Sequence, residues 1–125
     1  MKSLALSLAL LSASCFADMQ TNEPVPSELG QFKCEMIRSK IVDGKSFLKE
    51  QRKDVAIITE YNAFWFDADD YQGSSGKLVY NEKYDWFESF KPTAKLELYS
   101  RQRQGKNLRY LYRTGNTILM FDNCK

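Results

Sequence analysis

Apolar and polar residues alternate along much of the chain with a period of two, which is typical of half-buried β-strands. Near the end, Leu96 and Leu98 alternate with charged neighbours in one segment. After a turn at residues 104–107, Tyr110 and Tyr112 take alternate positions in the next. Short strands separated by turns predict an all-β fold, a small antiparallel barrel or sandwich of about seven to eight strands.

The first strand of this predicted domain is long, and its apolar pattern changes phase. Phe32, Cys34 and Met36 alternate with polar residues, and apolar residues then continue in the opposite phase, which predicts a β-bulge. A hairpin turn is predicted at the Asp-Gly pair that follows. A helix over residues 46–53 is an alternative, because acceptable helix formers occur there. Residues 72–76, rich in Gly and Ser, predict a loop.

The beginning of the chain has the composition of a signal peptide. Residues 1–17 combine the positive charge of Lys2, a short apolar run and small residues before a predicted cleavage after Ala17. The apolar run is too short to cross a membrane, which requires about 20 residues. Lipidation of Cys15 is the alternative. Either reading predicts export, to the periplasm or as a secreted protein.

The rest of the chain is long enough for one domain. Residues 18–30 contain two prolines and few large apolar groups, which predicts a flexible leader, and residues 31–125 then form a single β domain. After signal removal two cysteines remain, Cys34 and Cys124. In an oxidising compartment such a pair predicts a disulfide. Closing so long a loop would stabilise the domain by about 4–5 kcal/mol in the chain-entropy model.

The residue types argue against most catalytic chemistry. The chain has no histidine, which excludes His-based triads and His-ligated zinc. A pair of carboxylates, as used by glycosidases, remains possible. The segment 66–73, which contains three aspartates, matches a calcium-binding loop poorly, and its composition predicts a solvated loop. The mature net charge is near zero, which predicts no nucleic-acid partner, although Arg101 to Arg113 forms a basic hairpin.

Several short motifs together resemble a known family. Phe32-Lys33-Cys34, a central Ser-Gly loop, a strand with Trp86 and the terminal Asp122-Asn123-Cys124 are similar to the bacterial periplasmic or membrane-bound inhibitors of chicken-type lysozyme. The resemblance implies a small β-barrel closed by a terminal disulfide. It also implies that a loop enters the lysozyme cleft, assisted by a lysine from a later loop. The residues that match this site are Ser74, Ser75, Gly76, Tyr80 and Lys91.

These observations predict an exported binding protein that is not an enzyme and uses no cofactor or metal. The expected partner is a protein, with lysozyme as the named candidate, and the protein is not expected to span a membrane. One alternative is a barrel that carries a small apolar or lipid-like ligand, and another is an immunity protein against an exported toxin. A carrier needs an internal cavity, whereas an inhibitor needs a filled interior and a protruding loop.

Overall fold

One curled antiparallel sheet forms the whole domain. The computed structural model describes residues 22–92 and 96–125. Within them, nine strands form a half-barrel in the order β4-β3-β2-β1-β9-β8-β7-β6-β5, so the first and last strands pair in the middle. The strands are β1 (Gly30–Val42), β2 (Lys45–Thr59), β3 (Phe64–Asp67), β4 (Gln72–Ser74), β5 (Val79–Asn81), β6 (Trp86–Pro92), β7 (Leu96–Gln104), β8 (Asn107–Thr114) and β9 (Thr117–Asp122).

The predicted all-β antiparallel architecture is confirmed, and three of its details are corrected. The strand count is nine, not seven to eight. Residues 72–76, predicted as a loop, contain β4, because their backbone pairs with Trp65 to Asp67 of β3. The helix considered at residues 46–53 is wrong, since this segment belongs to β2 and pairs with β1 from the hairpin turn onward. Pairing across a tight turn outweighs a weak helical preference.

The phase change in β1 reflects burial on both faces of the sheet. Pairing with β2 shifts register between Cys34 and Met36 and again between Arg38 and Ser39, but at both shifts the additional residue lies on β2, so the bulge predicted within β1 is wrong. Pairing with β9 runs without interruption from Glu35 to Lys40. Met36 therefore points into the half-barrel and its neighbour Ile37 points outward, as alternation in a strand requires.

Aromatic side chains fill the inside of the curled sheet. The ring of Phe64 lies 5.0 Å from that of Tyr110 and 5.9 Å from that of Tyr99, between ring centroids. Phe66 lies 5.0 Å from both Tyr112 and Phe121. These edge-on and tilted contacts add to the free energy gained from apolar burial. The same buried cluster also contains Cys34, Met36, Val55, Ile57, Ala68, Leu78, Leu108 and Leu119.

The predicted disulfide joins the two ends of the domain. Cys34 and Cys124 are bonded, and their Cα atoms are 4.0 Å apart, closer than the ~5–6 Å typical of disulfides. The neighbouring residues explain the short distance: Lys33 and Lys125 exchange two backbone hydrogen bonds of 3.0 and 2.9 Å. The cysteines next to them form a non-hydrogen-bonded pair, the closer of the two antiparallel spacings.

Residues 22–30, the described part of the predicted leader, lie against β7 and the turn before β6. Asn22 is buried, and its side-chain amide donates to Asp85 Oδ1 at 2.8 Å and accepts from the backbone N–H of Arg103 at 2.9 Å. Glu28, in a 3₁₀ helix at Pro26–Glu28, pairs with the Arg103 guanidinium at 2.7 Å. Burial raises the pKa of Glu28, but the hydrogen bonds from Arg103 and from the backbone N–H of Val25, together with the charges of nearby arginines, outweigh burial and leave this pKa lowered.

The predictions for residues 1–17, including cleavage after Ala17 and lipidation of Cys15, lie outside the described residues. Within the described ranges, none of the helical segments has the length and apolar character needed to cross a bilayer.

Candidate functional site

The serine expected to enter a partner's cleft is turned into the protein. Ser75 is fully buried, and its hydroxyl accepts a hydrogen bond from the backbone N–H of Phe64 at 2.9 Å. The same hydroxyl donates to the Gly76 carbonyl at 2.7 Å. The backbone N–H of Ser75 donates to the Phe64 carbonyl at 2.9 Å. Ser75 therefore extends the pairing of β3 beyond β4, and its hydroxyl is not presented to a partner.

Lys91 is brought to the same part of the molecule but is used internally. Its ammonium donates to the Ser74 carbonyl at 2.6 Å and lies 5.1 Å from the centroid of the Tyr99 ring. Burial, followed by the negative charge of Glu97, raises the pKa of Tyr99 to about 12 despite a hydrogen bond with the Ser74 backbone. The two segments that the resemblance names, around Ser74 and Lys91, are therefore in contact, and the hydrogen bond between them links β4 to β6.

Tyr80 is the most accessible side chain of the predicted set. It is 48% exposed, and its hydroxyl donates to Asp85 Oδ1 at 2.6 Å, which raises the pKa of Tyr80. Its ring lies 5.3 Å from that of Phe87. Gly76 is exposed and has a φ of +63°, a backbone conformation that glycine adopts without strain. Neither residue forms a described contact with Lys91.

Gly73 is required for the close approach of β4 to the aromatic interior. A Cβ atom at this position would lie 2.6 Å from Cε1 of Phe66 and 2.7 Å from the hydroxyl of Tyr99. Both rings are buried, so they have little room to move. We expect Gly73→Ala to lower the free energy of unfolding by about 1–3 kcal/mol, the usual cost of overpacking. Urea unfolding measures this change. The control is Gly105→Ala, where strain arises without a clash, because nothing lies within 4 Å.

Most arginines of the basic hairpin are used in contacts within the protein. Arg101 is buried, and its guanidinium donates to Thr59 Oγ1 at 3.0 Å and to the carbonyl of Glu60 at 2.7 Å. Burial lowers the pKa of Arg101. Arg103 pairs with Glu28, and Arg109 pairs with Asp122 at 2.8 Å. Arg113 differs from these three in being exposed, and it forms no salt bridge with any described residue.

Arg113 stands in an apolar surface on the outer face of the sheet. Residues paired across antiparallel strands share a face, and Arg113 pairs with Ile118 on β9 and with Leu98 on β7. Leu98 pairs in turn with Phe90 on β6. The neighbouring row of paired residues is also apolar, because Met120 pairs with Leu111 on one side and with Ile37 on the other. We call this surface the outer patch and define it as Ile37, Phe90, Leu96, Leu98, Leu111, Arg113, Ile118 and Met120.

The outer patch includes a groove of about 290 Å³ lined by Phe90, Leu96, Leu98, Arg113 and Gly115. Phe90 is 54% exposed and Leu96 is 58% exposed. This surface was not predicted from the sequence, although the sequence contains a pattern that indicates it. The run 118–121 is apolar at every position, which is typical of a strand covered on both faces.

A second cleft, of about 300 Å³, lies where the N-terminal segment crosses the end of the half-barrel. It is lined on one side by Phe32, Leu108 and Tyr110, and on the other by Val25 and Glu28. Its volume is at the lower limit of ligand pockets, about 300–1,000 Å³. Arg103 also borders it, with its guanidinium already paired to Glu28.

The acidic loop considered for calcium is occupied by protein donors. Arg52 donates to the carbonyl of Ala68 and to Asp70 Oδ1, the latter at 2.9 Å, and this contact lowers the pKa of Asp70. Asp67 Oδ1 accepts from the backbone N–H of Asp69 at 3.0 Å. Across the part of the chain that the structure describes, no group of three or more His, Cys, Asp or Glu residues could hold a metal ion.

Comparison with known proteins adds no relative to this picture. No protein-family model, curated protein or solved structure matches the chain significantly. The resemblance to lysozyme inhibitors therefore stays a prediction, based on short motifs alone.

Proposed function

We propose that this is an exported binding protein that uses the outer patch to dock onto another protein. The observation that carries the proposal is the division of apolar groups between the two faces of the sheet. The inner face is filled by packed aromatic rings, whereas Phe90 and Leu96 remain more than half exposed on the outer face. Large exposed apolar surfaces with a polar rim are typical of protein–protein contacts.

The chemistry of the outer patch restricts the partner. Arg113 is the charged member of an otherwise apolar set, and its guanidinium can form a two-pronged hydrogen bond with a carboxylate. The complementary surface is therefore apolar and contains an aspartate or glutamate opposite Arg113. Aromatic and arginine side chains together commonly provide most of the binding free energy at such surfaces.

Chicken-type lysozyme is the first candidate partner, because the sequence motifs suggest it. Insertion of Ser75 into the catalytic cleft is not part of the proposal, since that hydroxyl is bonded inside the protein. An exported toxin, neutralised by an immunity protein, would use the same kind of surface. A ligand carrier is less well supported, because aromatic rings occupy the interior that would hold the ligand.

Direct binding to purified lysozyme, measured by calorimetry, tests the named partner. If lysozyme is the partner, Phe90→Ser and Arg113→Glu should each weaken binding by about 2 kcal/mol or more, the scale of a hot-spot residue. Ile58→Ser is the matched control, because Ile58 is 46% exposed and lies on β2, away from the outer patch. Absence of binding and of inhibition at micromolar concentration would eliminate lysozyme.

A pull-down from periplasmic extract extends the test to other proteins. The protein that counts as a partner must be retained by the wild type and by Ile58→Ser, and lost with both outer-patch variants. Capture that is equal with all four forms of the protein would contradict the proposed docking surface.

A further inference from the structure

The hairpin formed by β1 and β2 extends beyond the strands on either side of it. β9 pairs with β1 only as far as Lys40, and β3 pairs with β2 only from Ala56 to Thr59. We call residues 40–53 the hairpin arm. None of the described strands pairs with the far edge of β2 along this arm. All residues from Val42 to Lys49 are exposed.

The tip of the hairpin arm carries apolar side chains on both of its faces. Val42 is 45% exposed, Phe47 is 48% exposed and Leu48 is 58% exposed. Phe47 lies opposite Lys40 and Leu48 lies opposite Ser39, so these two neighbours point to opposite faces of the hairpin. A flat partner could cover only one of these faces. Both faces are removed from water together when the tip enters an apolar medium.

The hairpin arm is also strongly basic. Residues 40–53 contain five basic and two acidic side chains, and Arg38 lies just before them. Glu50 neutralises part of this charge, because it pairs with Arg38 at 3.1 Å and with Arg52 at 2.7 Å. Three exposed lysines lie near the tip: Lys40, Lys45 and Lys49. Their ammonium groups form no salt bridge with the described residues.

Addition of another β-strand to the free edge of β2 is disfavoured by the geometry of the arm. The two register shifts against β1 mark β-bulges, which interrupt a regular edge. Lysines along the edge act in the same direction, because native sheets use both devices to prevent edge-to-edge pairing. The apolar tip therefore needs an occupant that does not require a continuous backbone ladder.

We propose that the hairpin arm attaches the exported protein to the surface of an anionic lipid bilayer. Val42, Phe47 and Leu48 enter the boundary between headgroups and acyl chains, where apolar side chains leave water. Lys40, Lys45 and Lys49 meet the lipid phosphates around them, since basic residues are attracted to anionic headgroups. Neither signal alone gives stable attachment, and the tip combines the two. The opposite end of the half-barrel, with its N-terminal segment, faces away from the lipid.

Co-sedimentation with vesicles tests the proposal on the mature exported protein, whose intact mass is measured first to show whether it is lipidated. We expect binding to vesicles containing phosphatidylglycerol and little binding to vesicles of phosphatidylcholine alone. Binding should weaken as salt is raised from 50 to 500 mM, because screening shortens the reach of surface charge. Phe47→Trp should also shift its fluorescence to the blue when anionic vesicles are added.

Matched variants separate the arm from the rest of the surface. Phe47→Ser with Leu48→Ser, and separately the triple change of Lys40, Lys45 and Lys49 to Gln, should each weaken vesicle binding about tenfold or more. The controls are Ile58→Ser and the triple change of Lys33, Lys106 and Lys125 to Gln, which keep the arm intact. Unchanged melting temperatures exclude unfolding as the cause.

Three outcomes would overturn the proposal. The first is absence of binding to anionic vesicles. The second is binding that is equal for anionic and neutral vesicles and insensitive to the arm variants, as a lipid on Cys15 would produce. The third is loss of protein capture, rather than of vesicle binding, in the Phe47 and Leu48 variant, which would assign the arm to a protein partner.

Discussion

Replacing Cys34 and Cys124 together by serine is expected to lower the free energy of unfolding by about 4–5 kcal/mol. The bond closes a loop with a sequence separation of 90, so it removes much of the freedom of the unfolded chain. A domain of this size has a total stability of about 5–15 kcal/mol. Loss of the bond therefore leaves the protein close to its unfolding limit. Urea titrations of both proteins measure the difference.

The disulfide also lies beside backbone contacts that hold the two ends of the domain together. Cys34 belongs to β1, which pairs with β9 in the middle of the sheet, and Lys33 and Lys125 exchange backbone hydrogen bonds beside it. Reduction of the wild type should reproduce the effect of the double serine variant. Equal unfolding midpoints for the oxidised and reduced wild type would show that the sheet alone holds the termini together.

The sequence predicted the parts of the fold that depend on local chemistry. Turns at residues 43–44 and 104–107 follow from residues that accept positive φ or tight bends, and both turns are present. The disulfide was predicted from the two cysteines that remain outside the predicted signal peptide, and it is present. These features require no knowledge of which strands become neighbours.

Features that depend on distant pairing were not predictable in the same way. Ser75 reads as an exposed loop residue until β3 is placed beside it, because its hydroxyl is satisfied by Phe64, eleven positions away. The outer patch is assembled from five strands, and its members are separated widely in sequence. Arg113 could not be distinguished from Arg101 by charge alone. Burial distinguishes them: one is inside the half-barrel and the other is exposed.

Side chains on the inner and outer faces of the sheet should contribute differently to stability, and replacing one phenylalanine on each face tests this. Phe64→Ala is expected to lower the free energy of unfolding by about 3–5 kcal/mol, because the ring is fully buried among aromatic neighbours and its loss leaves a cavity. Phe90→Ala removes the same atoms from a side chain that is 54% exposed on the outer face. We expect it to change stability by much less, about 0.5–1 kcal/mol.

The two variants should also separate stability from binding. Phe90→Ala should weaken docking to the partner by about 2 kcal/mol, as expected for an exposed aromatic side chain that a partner buries. Phe64→Ala, measured at a temperature where it is still folded, should bind with nearly the wild-type affinity, because its side chain does not reach the outer face. Thermal unfolding and calorimetric binding supply the two measurements. If Phe90→Ala proved as destabilising as Phe64→Ala, Phe90 would belong to the core, and the outer patch would lose the side chain on which its proposed role depends.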